Sequence, residues 1–309
     1  MNFIKSLFST LSVRLAGVGL LLGGLFVAGC LPNLPSPSPS IAPRTGSPDI
    51  LVVGDSQISF GAGAVHLDFF ENLSRNCPIN GAQRKRLAEL KLNQVAAIGV
   101  RSSSLNNWVS RRDDEKAVIC EVDKKFGVNA GAYGIANERK RKYVQIGQGA
   151  DYQFCTSNRT PIQGIFHNGY YDPKLFVMAF LGNSAERWAE SRSDALADVR
   201  DAMKQIPAKT PCIFMTTAPS YSTEINDLRQ RAQANIKSAF NQVGRRCSFV
   251  EGITRETRAA NANNARFFRT NDAGEVIDPL HPNTDAARKF FSIVSPQLCA
   301  ATFKQIAQK

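Results

Sequence analysis

Apolar residues fall along this chain in two rhythms. Short continuous runs stand at residues 50–53 (ILVV), 94–100 (QVAAIGV), 174–182 (KLFVMAFLG), 212–217 (CIFMTT) and 247–252 (CSFVEG). Runs of this length without polar alternation suit strands covered on both faces. Between them, apolar positions return at helical spacing. Val65, Phe69 and Leu73 stand at i, i+4 and i+8 after the first run, and amphipathic stretches at 185–206 and 222–243 follow the third and fourth. Thr284 is a candidate cap for a C-terminal helix running through Phe290, Phe291 and Val294. Ser295-Pro296 reads as the start of a second helix, with Pro at its first position. Strand alternating with helix predicts an α/β fold: a five-stranded parallel sheet with helices on both faces. Reactive groups in such sheets gather beyond the C-terminal strand ends. Ser56, Gly99 and Asn183 each stand at or just past one.

Residues 110–172 break the rhythm. They hold Gly, Asn, the basic run RKRK at 139–142, and the aromatics Tyr143, Phe154, Phe166, Tyr170 and Tyr171. We read them as an elaborated loop region within one domain. The aromatics suit either a stacking platform for a substrate or additional core, and the basic run either a solvated face or a contact for an anion.

The N-terminus reads as an address. Lys5 and Arg14 accompany an apolar run at 15–28, short for a bilayer span and suited to a signal-peptide core. It ends in FVAGC, where Ala28 and Gly29 precede Cys30. That box resembles a bacterial lipoprotein cleavage site. The resemblance implies a signal peptide over 1–29 and lipidation of Cys30. Residues 30–48 are rich in Pro and Ser and predict an extended tether, leaving a folded domain over 49–309. The expectation is a bacterial periplasmic protein, lipid-anchored to the inner or outer membrane, for which nucleic acid is not a partner.

Charge and cysteines fit that compartment. The formal charge is +12, and the leader carries only Lys5 and Arg14, so about +10 remains on the rest. This favours an anionic envelope surface, or is simply a soluble basic exterior. Setting Cys30 aside, Cys77, Cys120, Cys155, Cys212, Cys247 and Cys299 allow three disulfides in fifteen connectivities. Cys212 and Cys247 each open an apolar run, so as neighbouring parallel strands in register they come within about 5 Å. Cys120 with Cys155 would staple the irregular region, which leaves Cys77 with Cys299. The spacing lacks the CxxC pairs of a zinc site, and no metal is expected.

Gly54-Asp55-Ser56 follows the first apolar run. A serine hydroxyl becomes a useful nucleophile only beside a base that is itself oriented by a third group. The chain has three histidines, and His281 alone has a carboxylate three positions ahead, Asp278 in IDPLHPN. Pro, Asp and Asn also suit an ordinary turn there. His66 falls on the first helix and His167 in the irregular region.

GDS after the first strand, a glycine after the second, GN after the third and DPLHP near the end resemble, in order, the four blocks of the SGNH (GDSL-type) hydrolases. The resemblance runs from about residue 49 to 295 and implies a flavodoxin-like fold. It implies Ser56 as nucleophile, His281 as general base and Asp278 as its orienting partner. It implies an oxyanion hole from the backbone N–H of Ser56, the backbone N–H of Gly99 and the side-chain amide of Asn183, with no cofactor. The pattern departs at Gln57, where the family often has Leu, and after Asn183, where the third block often reads GxND and Ser184 stands here. GVRSSS is a loose form of the second block. Gly99 can equally end a strand and Asn183 cap a helix. The function implied is a serine esterase; the tether, the basic charge and the irregular region point to O-acyl or O-acetyl groups on an envelope glycan as its substrate. A lysophospholipase or other lipid esterase, a periplasmic O-acyltransferase, and a non-catalytic binding lipoprotein on the same fold are the alternatives.

Overall fold

The computed structural model describes residues 48–92, 95–100, 102–110, 142–145, 159–169 and 171–307. Six strands form one sheet: β1 (Ile50–Gly54), β2 (Val95–Gly99), β3 (Lys142–Gln145), β4 (Leu175–Ala179), β5 (Cys212–Met215) and β6 (Cys247–Val250). Their order is β3-β2-β1-β4-β5-β6 and every pairing is parallel. The five expected strands are all present, in the expected flavodoxin-like order. β3 adds a sixth at the edge beyond β2. It comes from the region read as loop, where four residues beside a basic run carry too little apolar signal to mark a strand. Pairing with Ala96–Gly99 of β2 makes it one.

The central strands alternate between two cores. Leu51, Val53, Phe176, Met178 and Phe214 face one side, with Trp108, Trp188 and Phe240 from the helices over it. Ile50, Val52, Leu175, Val177 and Ile213 face the other, with Phe69, Phe70, Phe290, Phe291 and Leu298. The first layer holds the helices Leu105–Val109, Pro161–Phe166, Ala185–Glu190, Arg192–Gln205 and Thr223–Val243. The second holds Gly63–Glu71 and Thr284–Ile306.

Several expectations are refined. The stretch 185–206 is two helices, divided at Ser191, whose side chain accepts from the N–H of Asp194 and caps the second. The cap of the C-terminal helix is Asn283, not Thr284. That helix does not restart at Pro296 but runs through it. Proline leaves the carbonyl of Ser292 without its helical donor, and the hydroxyl of Ser295 approaches that carbonyl at 3.5 Å. Burial of Phe290, Phe291, Val294 and Leu298 on either side of the proline holds the helix together. The irregular region also contains the Pro161–Phe166 helix, opened by a Thr160–Gln163 capping box. Phe166 packs edge-on to Phe176 and Tyr171 is buried, so these two aromatics are core rather than platform.

The disulfides Cys77–Cys299 and Cys212–Cys247 are formed. Cys212 and Cys247 are register partners on β5 and β6, with Cα atoms 4.5 Å apart. The leader, Cys30, the tether up to residue 47, Cys120–Cys155, Phe154 and Tyr170 lie outside the described residues.

Candidate active site

The chain leaves β1 in one direction to build β2 and β3, then returns to place β4 on the other flank of β1. The loops after β1 and β4 therefore diverge and open a crevice at the strand ends, the usual place for a ligand in an open α/β sheet. Ser56 lies in that crevice, two residues past β1, at the start of a helical segment. Its N–H thus belongs to the first amides of a helix, which have no partner within it.

Close packing shapes the turn. A Cβ on Gly54 would meet the side chain of Ile58 at 2.4 Å and the carbonyl of Ala179 at 2.5 Å, so only glycine fits. Asp55 is buried and ties the turn to the loop after β4. Its Oδ1 accepts the N–H of Gln57 at 2.9 Å, and its Oδ2 those of Leu181 and Gly182 at 3.2 and 3.1 Å. Burial raises the Asp55 carboxyl above the usual carboxylate range, opposed by the N–H groups of Gln57 and Leu181 and by the charge of Arg229. Arg229 is itself buried and lowered to about 10 by desolvation, with Asp55 acting the other way.

His281 reaches Ser56 from the far end of the sequence. β7 (Arg269–Thr270) and β8 (Val276–Asp278) form a small antiparallel pair that carries Asp278 to the crevice. The Asp278 carboxylate accepts the N–H groups of Leu280 and His281, both at 3.2 Å, closing a tight turn. Its two oxygens lie 2.9 and 3.0 Å from Nδ1 of His281. A carboxylate only accepts, so Nδ1 carries the proton and Nε2 is left as an acceptor. Nε2 lies 2.9 Å from Oγ of Ser56. Phe60 stacks on the imidazole with ring centroids 4.3 Å apart. It does so from a kink at Phe60 and Gly61, within a π-helical turn at Ile58–Ala62.

Of the other expected residues, Asn183 is placed at the crevice and Gly99 is not placed as a donor. Asn183 donates through Nδ2 to the carbonyl of Ser103 at 2.9 Å, linking the loops after β2 and β4 and leaving its second amide proton unspent. The N–H of Val100 donates to Gly54 of β1, and successive N–H groups of a strand point to opposite edges. The N–H of Gly99 therefore points away from β1, toward β3. Its glycine identity has a packing cause: a Cβ would lie 2.6 Å from the backbone nitrogen of Ser59. His66 is buried on the helix after Ser56, with Nδ1 against the carbonyl of Ala62 at 2.7 Å, and is lowered to about 4 by desolvation. His167 ends the Pro161–Phe166 helix.

Sequence reasoning missed Phe60 and Arg229 and the contacts of Gln57, which it noted only as a departure from the family pattern. Nothing local marks them, because their partners lie 161 to 223 residues away for Gln57 and more than a hundred for the others. Among the described residues, no group of three or more His, Cys, Asp and Glu side chains is gathered as a metal ion would need.

No family model and no curated protein matches the chain. Solved structures similar to it include a protein from Slackia heliotrinireducens assigned to the SGNH hydrolases (13% identity, 83% of this chain and 100% of that one, TM-score 0.38). An acetylxylan esterase from Geobacillus stearothermophilus (12% identity, 85% and 96%, TM-score 0.34) and TesA (11%, 82% and 98%, TM-score 0.35) are also similar.

Proposed function

We propose that this protein is a serine ester hydrolase. One observation carries the reading: an unbroken chain of hydrogen bonds from Ser56 through His281 to Asp278, at the mouth of the sheet's crevice. In the proposed reaction Oγ of Ser56 attacks the acyl carbon while its proton passes to Nε2 of His281. Asp278 holds the imidazole in the right tautomer and stabilises the cation that forms. In this reading the N–H of Ser56 and the second amide proton of Asn183 receive the oxyanion, donors of a kind worth about 3 kcal/mol each in a transition state. His281 then returns the proton to the departing alcohol, and water repeats the cycle to free the acid.

For the substrate we favour an O-acyl or O-acetyl group on an envelope glycan. The leader, Cys30, the tether and the net charge of +12 support an exported protein held near anionic surfaces. A lipid ester is the second reading, supported by Ile277 and Leu280, which are 51% and 42% exposed and flank Asp278 and His281. Hydrolysis of p-nitrophenyl esters of rising chain length, by the full chain and by Ser56→Ala, tests both. Activity confined to acetate and lost in the variant supports the glycan reading, and activity rising toward long acyl chains supports the lipid one. Equal activity in the two proteins overturns the hydrolase reading.

A further inference from the structure

The residue after the nucleophile, Gln57, departs from the leucine usual in the GDSL pattern, and the structure gives its amide a full set of partners. Gln57 is 3% exposed. Its Oε1 accepts the N–H of Ala218 at 3.0 Å, and its Nε2 donates to the carbonyls of Ala218 at 3.1 Å and Leu280 at 3.3 Å. One acceptor and two donors are thereby engaged across three segments: the nucleophile's turn, the loop after β5 and the loop that carries His281. A leucine could make none of these bonds.

The bond to Leu280 falls at a telling place. The carbonyl of Leu280 and the N–H of His281 belong to one peptide group, which is planar and turns as a unit. Asp278 holds the N–H end at 3.2 Å and Gln57 holds the carbonyl end. The rotation of that plane sets where the His281 side chain starts. The loop needs such a hold, because Leu280 is exposed and little apolar packing fixes it. Neighbouring anchors act further along: Tyr221 donates to the carbonyl of Pro279 at 2.8 Å, and Asn283 donates to that of Phe267 at 2.8 Å.

We propose that Gln57 is a positioning residue, which fixes the Leu280–His281 peptide and so keeps Nε2 of His281 in hydrogen-bond reach of Ser56. The role rests on the hydrolase reading above. Small displacements of a catalytic group cost rate rather than binding. Gln57→Met keeps the volume and removes all three bonds. In the full chain, with p-nitrophenyl acetate, kcat falls about ten- to a hundredfold while KM stays within about twofold. The rate of Ser56 labelling by a fluorophosphonate falls by the same factor, and the final labelled fraction is unchanged, so the loss is not one of folded protein. Gln57→Leu gives the same result and serves if Gln57→Met does not fold. Folded variants with wild-type kcat and labelling rate overturn the proposal, as does failure of both variants to fold, which makes Gln57 a residue of stability alone. Ser56→Ala separates the two readings. If it abolishes activity while the Gln57 variants keep theirs, only the role of Gln57 falls; if it leaves activity intact, both fall.

Discussion

The two halves of the site are built on different principles. The turn of the proposed nucleophile, Asp55–Gln57, sits within the protein, with Asp55, Ser56 and Gln57 exposed by 1, 9 and 3%. It follows a strand paired on both sides and lies against β4 so closely that only glycine fits at position 54. The loop carrying Asp278 and His281 sits on a two-stranded ribbon at the rim, with Ile277 and Leu280 open to solvent. The first half is held by burial together with the buried hydrogen bonds of Asp55 and Gln57, the second by a handful of polar bonds near solvent and one ring stack. Losing the buried bonds of the turn should therefore register in stability as well as rate, and changes in the loop chiefly in rate.

The largest expected effect lies where the halves meet. Ser56→Ala lowers kcat about a thousandfold or more while thermal unfolding shifts little, since the hydroxyl's partner His281 remains solvent-accessible. On the loop side, Asp278→Asn lowers kcat by roughly a thousandfold, because an amide presents donors to Nδ1 and favours the wrong tautomer. Steady-state kinetics together with a melting curve checks both. On the turn side, Asp55→Ala leaves three buried N–H groups without their acceptor and the buried Arg229 without its nearby negative charge, and lowers stability by about 3–5 kcal/mol in urea titration. If Asp278→Asn destabilised as much as Asp55→Ala, the contrast between the halves would fail.

Two smaller effects sharpen the buried half. Removing Cys77–Cys299, which closes a separation of 222 residues, lowers stability by about 2–5 kcal/mol with the site geometry intact, read as denaturant midpoint against activity per folded molecule. His66 gives a pH dependence whose sign is set by burial. The unfolded chain protonates it near pH 6.5 and the folded chain only near pH 4. Its stabilising contribution is full above pH 6.5 and falls by up to about 3 kcal/mol as the pH drops to 4. In His66→Gln that part of the acid loss disappears, as unfolding at stepped pH should show.

The same contrast explains what could be read from the chain alone. The meeting of Ser56, Asp278 and His281 was legible because each motif is short and local: a serine just past an apolar run, and a carboxylate three residues before a histidine. Cys212 with Cys247 was legible because two parallel strands in register impose their separation. The long-range partners were not. Gln57 looks like any turn residue until the loops after β5 and β8 arrive beside it. Gly99 was read as a donor because the family resemblance implied it; its N–H direction depends on which neighbour Val100 pairs with. β3 needed β2 beside it to become a strand, and the helix through Pro296 needed the apolar layer beneath it to survive the lost bond.

Ser56 is proposed here as a nucleophile activated by His281 and Asp278, which are held against it. Intact-mass and peptide mapping of the folded full chain after treatment with a fluorophosphonate test this most directly. The expected result is one adduct per molecule on Ser56, formed in the wild type, absent in Ser56→Ala and strongly slowed in Asp278→Asn. A folded wild-type protein that takes up no label, or takes it up on another residue, would show that Ser56 is not the nucleophile.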